Sequence, residues 1–135
     1  MKRVIFACVH NAGRSQMAAA FLTAMADPSK VEAISAGTQP GNRVHPEVVT
    51  VMAEVGIDLS DKRPQRLTES LAHSASMLVT MGCGDECPYV PGLERDDWPL
   101  TDPKNRPLEE VRQIRDEIRN RVSALVQIHA WGRHS

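Results

Sequence analysis

The residues best suited to chemistry stand near the start of the chain, in Cys8-Val9-His10-Asn11-Ala12-Gly13-Arg14-Ser15. A thiol is followed by a guanidinium and then a hydroxyl. An apolar, β-prone run, Val4-Ile5-Phe6-Ala7, leads in, and an alanine-rich helical pattern leads out. Cys8 is therefore expected at a strand end, with a helix N-terminus just beyond. Backbone N–H groups, the helix dipole and Arg14 would together favour a thiolate and a bound oxyanion. A thiolate attacking an oxyanion must overcome repulsion between like charges. Arg14 can hold two oxygens in its planar fork, and the amides from Val9 to Arg14 can hold others. Gly13 permits a backbone conformation that most residues resist. Asn11 can brace the loop, and Ser15 can hydrogen-bond the thiolate. His10 fits a tolerated loop position better than a ligand. A strand-end cysteine is often only a small buried residue; the arginine, glycine and serine at these offsets argue against that here. The loop lacks the Gly-Lys-Ser/Thr of a nucleotide-binding P-loop and the glycine spacing of a dinucleotide fingerprint.

The other two cysteines lie in Thr80-Met81-Gly82-Cys83-Gly84-Asp85-Glu86-Cys87-Pro88. Two thiols becoming one disulfide release two electrons, and the flanking glycines would let Cys83 swing. A zinc site would need four ligands, and the five histidines are scattered, so no metal is expected. Two buried thiols without a role are a further reading, which the glycines and Pro88 weaken. Asp102, in Thr101-Asp102-Pro103, is either a general acid or a turn residue, with Asp96 and Asp97 as neighbouring rivals.

These groups need elements to hold them. The pattern predicts a strand over 2–7 and a helix over 14–26, with Met17, Ala20, Phe21, Ala24 and Met25 on one face. A strand is expected over 31–35, a helix from Pro46 to a stop at Gly56, and a short helix over 65–73. Met77 to Met81 reads as a strand buried on both faces, and a brief strand is expected near 97–100. A last helix from about Pro107 carries a buried stripe of Leu108, Val111, Ile114, Ile118, Val122 and Leu125, with Glu117 and Arg121 paired on its outer side. Strands alternating with helices predict an α/β fold: a three-layer sandwich of about four parallel strands with helices on both faces. Ligands bind such sheets beyond the carboxyl ends of the strands. Cys8, Cys83 and Asp102 each follow a strand and would converge there. Trp98 and Trp131 read as packing residues.

The 135 residues are expected to form one domain, 1–135. A net charge of −1 and 4% aromatics give no case for nucleic acid or an anionic membrane. The apolar run after Met1-Lys2-Arg3 is too short for a signal peptide, and no run approaches a membrane span. Few cysteines with informative spacing suggest reactivity in a reducing cytoplasm, and a monomer is expected.

The first loop resembles the Cys-x5-Arg-Ser signature of the low-molecular-weight protein tyrosine phosphatase superfamily, which includes the thioredoxin-linked arsenate reductases. Ser35-Ala36-Gly37, Gly56-Ile57-Asp58-Leu59-Ser60, Thr101-Asp102-Pro103 and the helix spanning Arg112 to Arg121 resemble further segments, in order. The resemblance implies the flavodoxin-like phosphatase fold. It implies Cys8 as nucleophile, Arg14 and the amides of Val9, His10, Asn11, Ala12, Gly13 and Ser15 around the oxyanion, and Asp102 as general acid. Cys83 and Cys87 match the pair that the reductases carry in this loop, at a closer spacing than is common. Lys104-Asn105 replaces the aromatic residues that many phosphatases carry after Asp-Pro. Arsenate reduction through a Cys8-Cys83-Cys87 relay is thus implied, with no bound cofactor. Thioredoxin is the expected reductant, and a small thiol such as mycothiol or glutathione the alternative. A tyrosine phosphatase and a metal- or arsenite-binding module remain the other readings. Some reductases bind potassium beneath the loop. Asn11 and Ser35 match that site, but Ala19 and Arg63-Pro64-Gln65 do not, so potassium is not expected; Lys62 or Arg63 would supply positive charge instead.

Overall fold

The computed structural model describes residues 2–81 and 92–132. Four parallel strands form one sheet in the order β2-β1-β3-β4: β1 (Lys2–Cys8), β2 (Val31–Gly37), β3 (Met77–Thr80) and β4 (Glu94–Asp97). Four helices accompany them: α1 (Arg14–Met25), α2 (Pro46–Ala53), α3 (Glu69–His73) and α4 (Leu108–His129). β1 lies at the centre, with Ile5 opposite Ile34 of β2 and Leu78 of β3. The strand order reverses about β1, so the crevice of such a sheet opens at its carboxyl end. Cys8 is the last residue of that strand.

Alternation along β1 divides the core. Val4, Phe6 and Cys8 face a large cluster with Met17 and Phe21 of α1, Val48 and Met52 of α2, and Ile118 and Val122 of α4. Ile5 and Ala7 face a smaller one with Ala36, Leu67, Ala72 and Leu78, beneath α3. Both faces of the sheet are covered, as the strand–helix alternation predicts. Trp98 is buried and its ring centroid lies 5.7 Å from that of Phe6; Trp131 is buried as well.

Four expectations shift. The last strand is 94–97 rather than 97–100. It is an exposed edge composed of Glu94, Arg95, Asp96 and Asp97, a charged edge that discourages pairing with another sheet. Trp98, read as a packing residue, follows the strand and folds back into the core. The short helix begins at Glu69, because Thr68 caps it by accepting a hydrogen bond from the Leu71 N–H at 3.0 Å. Gln65 to Leu67 instead run extended beside the end of β2: Gly37 N–H donates to Gln65 O, and Leu67 N–H to Gly37 O, each at 2.8 Å. On α1 the buried face is Met17, Ala18, Phe21 and Leu22, with Ala24 exposed. Alanines carry too little apolar surface to fix a helix face. Leu108, the first residue of α4, is exposed, while Val111, Ile118, Val122 and Leu125 are buried as expected. The Glu117–Arg121 pair forms at 3.0 Å.

An ion cluster ties the end of α2 to α4. Glu54 accepts from Arg112 Nε and Nη2 at 3.0 and 2.8 Å and from Arg115 Nη1 at 2.9 Å. Arg115 also donates to Val51 O at 2.9 Å. Hydrogen bonds from Arg112 above all, with its charge and Arg115 behind them, hold the Glu54 carboxyl below the ordinary 4.5 against the opposing cost of burial. A lowered carboxylate stabilises the folded chain above the unfolded value and loses that contribution as pH falls through the folded one. Glu54→Gln is therefore expected to lower the melting temperature at neutral pH. The gap from wild type should close as pH drops below 4.5, as thermal melts across an acid series would show.

Candidate active site

The loop from Cys8 to Ser15 takes its shape from the segment that follows β2. Thr38 N–H donates to Cys8 O at 3.3 Å, Gln39 N–H to Val9 O at 2.8 Å, Gly41 N–H to His10 O at 2.9 Å and His45 N–H to Ala12 O at 2.9 Å. Gly13 O accepts from Met17 N–H at 3.0 Å, inside the first turn of α1. In a trans peptide the N–H points opposite to the C=O. Turning these carbonyls toward the 38–45 strap therefore turns the amides of Val9, His10, Asn11 and Gly13 away from it. Backbone amides turned this way at a helix N-terminus can hold an anion.

Asn11 is the residue of the loop with left-handed backbone, at φ 51°. Gly13, at φ −144° and ψ −90°, lies outside both the helical and the extended regions, a conformation that most residues resist, as expected. Gly13 also supplies room: a Cβ there would lie 2.7 Å from Pro103 Cγ. Asparagine tolerates the left-handed region because its short side chain can bond locally. Asn11 Oδ1 accepts from Gln65 N–H at 2.9 Å, and its Nδ2 donates to Ser15 Oγ at 2.7 Å. Ser15 Oγ is 2.9 Å from Cys8 Sγ. With one lone pair of Ser15 taken by Asn11, its proton is free to point at the sulfur, the arrangement that stabilises a thiolate. Cys8, Asn11 and Ser15 are all buried.

Arg14 is also buried, with its side chain 8% exposed. Its Nη1 donates to Leu100 O at 3.0 Å, and its Nη2 lies 3.9 Å from Asp102 Oδ2. Asp102 Oδ1 accepts from Lys104 N–H at 3.0 Å. The turn reading of Asp102 holds: one carboxylate oxygen shapes the turn, and the other faces the arginine. Asp96 and Asp97 are engaged elsewhere, with Trp98 Nε1 at 3.0 Å and Thr80 Oγ1 at 2.7 Å. His10 Nδ1 is 3.1 Å from Gln39 O, in keeping with a structural loop position.

Cys83 and Cys87 lie outside the described residues. The strand that leads toward them is fixed, however. Ala7 pairs with Thr80, and Met81 N–H donates to Ala7 O at 2.7 Å. The chain therefore leaves β3 beside the residue that precedes Cys8. Among the described residues no group of three or more His, Cys, Asp and Glu is placed to hold a metal. Lys62 and Arg63 are exposed and line a cavity of about 470 Å³ behind the loop, with Ala19, Ser35 and Gln65.

Three contributors could not be singled out from residue types. His45 supplies a backbone donor to the loop and packs near Gly13; burial lowers its imidazole below 6.5, and the charges of Lys104 and His10 act in the same direction against Glu47 and Asp102. Gln65 donates to Asn11 from a remote segment. Gly37 touches the loop itself.

The family described as low molecular weight phosphotyrosine protein phosphatase matches residues 3–130. A glutaredoxin arsenate reductase of Synechocystis is 34% identical over 129 residues, which is 93% of this chain and 97% of that one. The structure of a thioredoxin-dependent arsenate reductase of Corynebacterium glutamicum superposes with a TM-score of 0.80 at 39% identity, covering 94% of this chain. This chain spans only 61% of the length of that protein. An arsenate reductase solved in its oxidized state superposes with a TM-score of 0.83 at 33% identity, over 94% of this chain and 98% of that one.

A Cβ on Gly37 would lie 2.6 Å from Val9 O and 2.9 Å from Asn11 N, both backbone atoms of the loop. Gly37→Ala is expected to cost about 1–3 kcal/mol and to weaken phosphate binding in titration calorimetry. Gly41→Ala, on the same strap with nothing closer than 3.9 Å, should leave both measurements unchanged.

Proposed function

The chain belongs to the low molecular weight phosphotyrosine protein phosphatase family, and we propose that within it the chain is an arsenate reductase working by a three-thiol relay. The observation that carries this reading is the Cys8–Ser15–Asn11 hydrogen-bond chain, set beside the strand that runs on into the Cys83 and Cys87 segment.

Arg14 and the loop amides hold arsenate. The Cys8 thiolate attacks arsenic, and an As–O bond breaks as Asp102 protonates the departing oxygen. The Cys83 thiolate then attacks Cys8 Sγ. A Cys8–Cys83 disulfide forms, the S–As bond breaks, and its electron pair leaves with arsenic, which is reduced from the +5 to the +3 state. Cys87 next attacks Cys83, freeing Cys8 and leaving a Cys83–Cys87 disulfide. An external dithiol returns two electrons and restores the start. No bound cofactor is needed, and the cycle suits a reducing cytoplasm.

Thioredoxin is the proposed reductant. The relatives are named for both thioredoxin and glutaredoxin, so the donor is a property to be measured on this chain. The test is arsenate-dependent NADPH consumption, supplied in parallel with thioredoxin and its reductase, glutaredoxin with glutathione, or mycothiol with its reductase. Thioredoxin should give the fastest turnover. Cys8→Ser should abolish activity. Cys87→Ser should reduce one arsenate per chain and then stop, trapped as Cys8–Cys83. Sustained turnover in Cys87→Ser would overturn the relay. Fast hydrolysis of an aryl phosphate without arsenate reduction would instead favour the phosphatase reading, since the cradle accepts phosphate and arsenate alike.

A further inference from the structure

Gln16, the residue after Ser15, is buried at 5% exposure and points back under the loop. Its Nε2 lies 3.1 Å from Asn11 O, 3.3 Å from Asn11 Oδ1 and 3.3 Å from Arg63 O. All three neighbours are oxygens that can only accept, so the nitrogen, not the amide oxygen, must occupy this place. We propose that Gln16 is a positioning residue for the Cys8 thiolate, acting through Asn11 and Ser15.

The chain of causes is short. Asn11 could present either end of its carboxamide to Ser15. Gln16 Nε2 and Gln65 N–H both donate to Asn11 Oδ1. Turning the carboxamide over would set its NH2 against these two donors. The observed orientation is thereby fixed, and it aims Asn11 Nδ2 at Ser15 Oγ. Ser15 then accepts from Asn11 and keeps its proton for Cys8 Sγ. Gln16 also holds Asn11 O, and so supports the left-handed backbone at Asn11. Gln16 reaches Cys8 only through this sequence of bonds. Its hydrogen bond to Arg63 O further ties the loop to the chain before Gln65, so both donors to Asn11 are held in register.

This inference rests on Cys8 as the nucleophile of the proposed reaction. Its test needs neither arsenate nor a reductant, so it can fail or succeed independently of that reading. In a Cys83→Ser, Cys87→Ser background Cys8 is the only thiol, and iodoacetamide alkylation reports its reactivity. Gln16→Met keeps the volume and removes the donor. It should slow alkylation at neutral pH about threefold, the worth of one neutral hydrogen bond, and move the pH profile of alkylation upward. Gln16→Asn, a methylene too short to reach, should do the same, and serves if Gln16→Met does not fold by circular dichroism. In an Asn11→Ala background neither substitution should slow alkylation further. Wild-type alkylation in the folded Gln16 variants would overturn the proposal, as would equal slowing in the presence and absence of Asn11.

Discussion

The site depends on one constraint: the carbonyls of the Cys8 loop must face outward. Each peptide carries its N–H and C=O on opposite sides, so an inward-facing amide requires an outward-facing oxygen that has a donor of its own. The strap from Thr38 to His45 provides those donors to Cys8, Val9, His10 and Ala12. A buried carbonyl left unpaired would cost about as much as a lost hydrogen bond, so the loop cannot hold its cradle without the strap. The strap in turn begins at Gly37, where β2 ends in register with Cys8. The parallel pairing of β1 and β2 is therefore what brings the two segments to the same edge.

That dependence explains which parts of the site could be read from the sequence. Cys8, Asn11, Arg14 and Ser15 lie within one short stretch, and their chemistry follows from residue type and spacing. The hydrogen bonds among them agree with those expectations. The donors that orient them come from far away in the chain. Gln65 N–H is a backbone group, and no residue type advertises it. The strap amides are backbone groups as well. Gly37 reads as an ordinary strand end, and its requirement for a bare Cα exists only because Val9 and Asn11 pass against it. Gln16 sits in an alanine-rich helix, where a polar side chain is normally solvent-facing.

The same distinction runs through the fold. β1, β2 and β3 are apolar enough to be recognised, because they are buried on one or both sides. β4 is an edge, and its residues satisfy water and neighbouring side chains rather than a core. Glu94 to Asp97 therefore carry no apolar signal that would mark them as a strand. The 65–67 segment has a helix-compatible composition and no apolar period. Its backbone pairs with Gly37 because β2 offers an open edge there, a tertiary preference that overrides local propensity.

Arg14 and Asp102 show how one turn can orient two candidate groups at once. A carboxylate has two oxygens, and the N–H of Lys104 needs only one of them. The turn thereby holds the second oxygen in a fixed direction, 3.9 Å from the guanidinium. Arg14 meanwhile donates to Leu100 O, two residues before Asp102. The fork that would bind the oxyanion and the acid that would serve it are thus held by one short segment after β4. For a reaction in which an oxygen must be gripped and protonated in the same event, this shared support matters more than the exposure of Asp102, which alone would mark it as an ordinary surface residue.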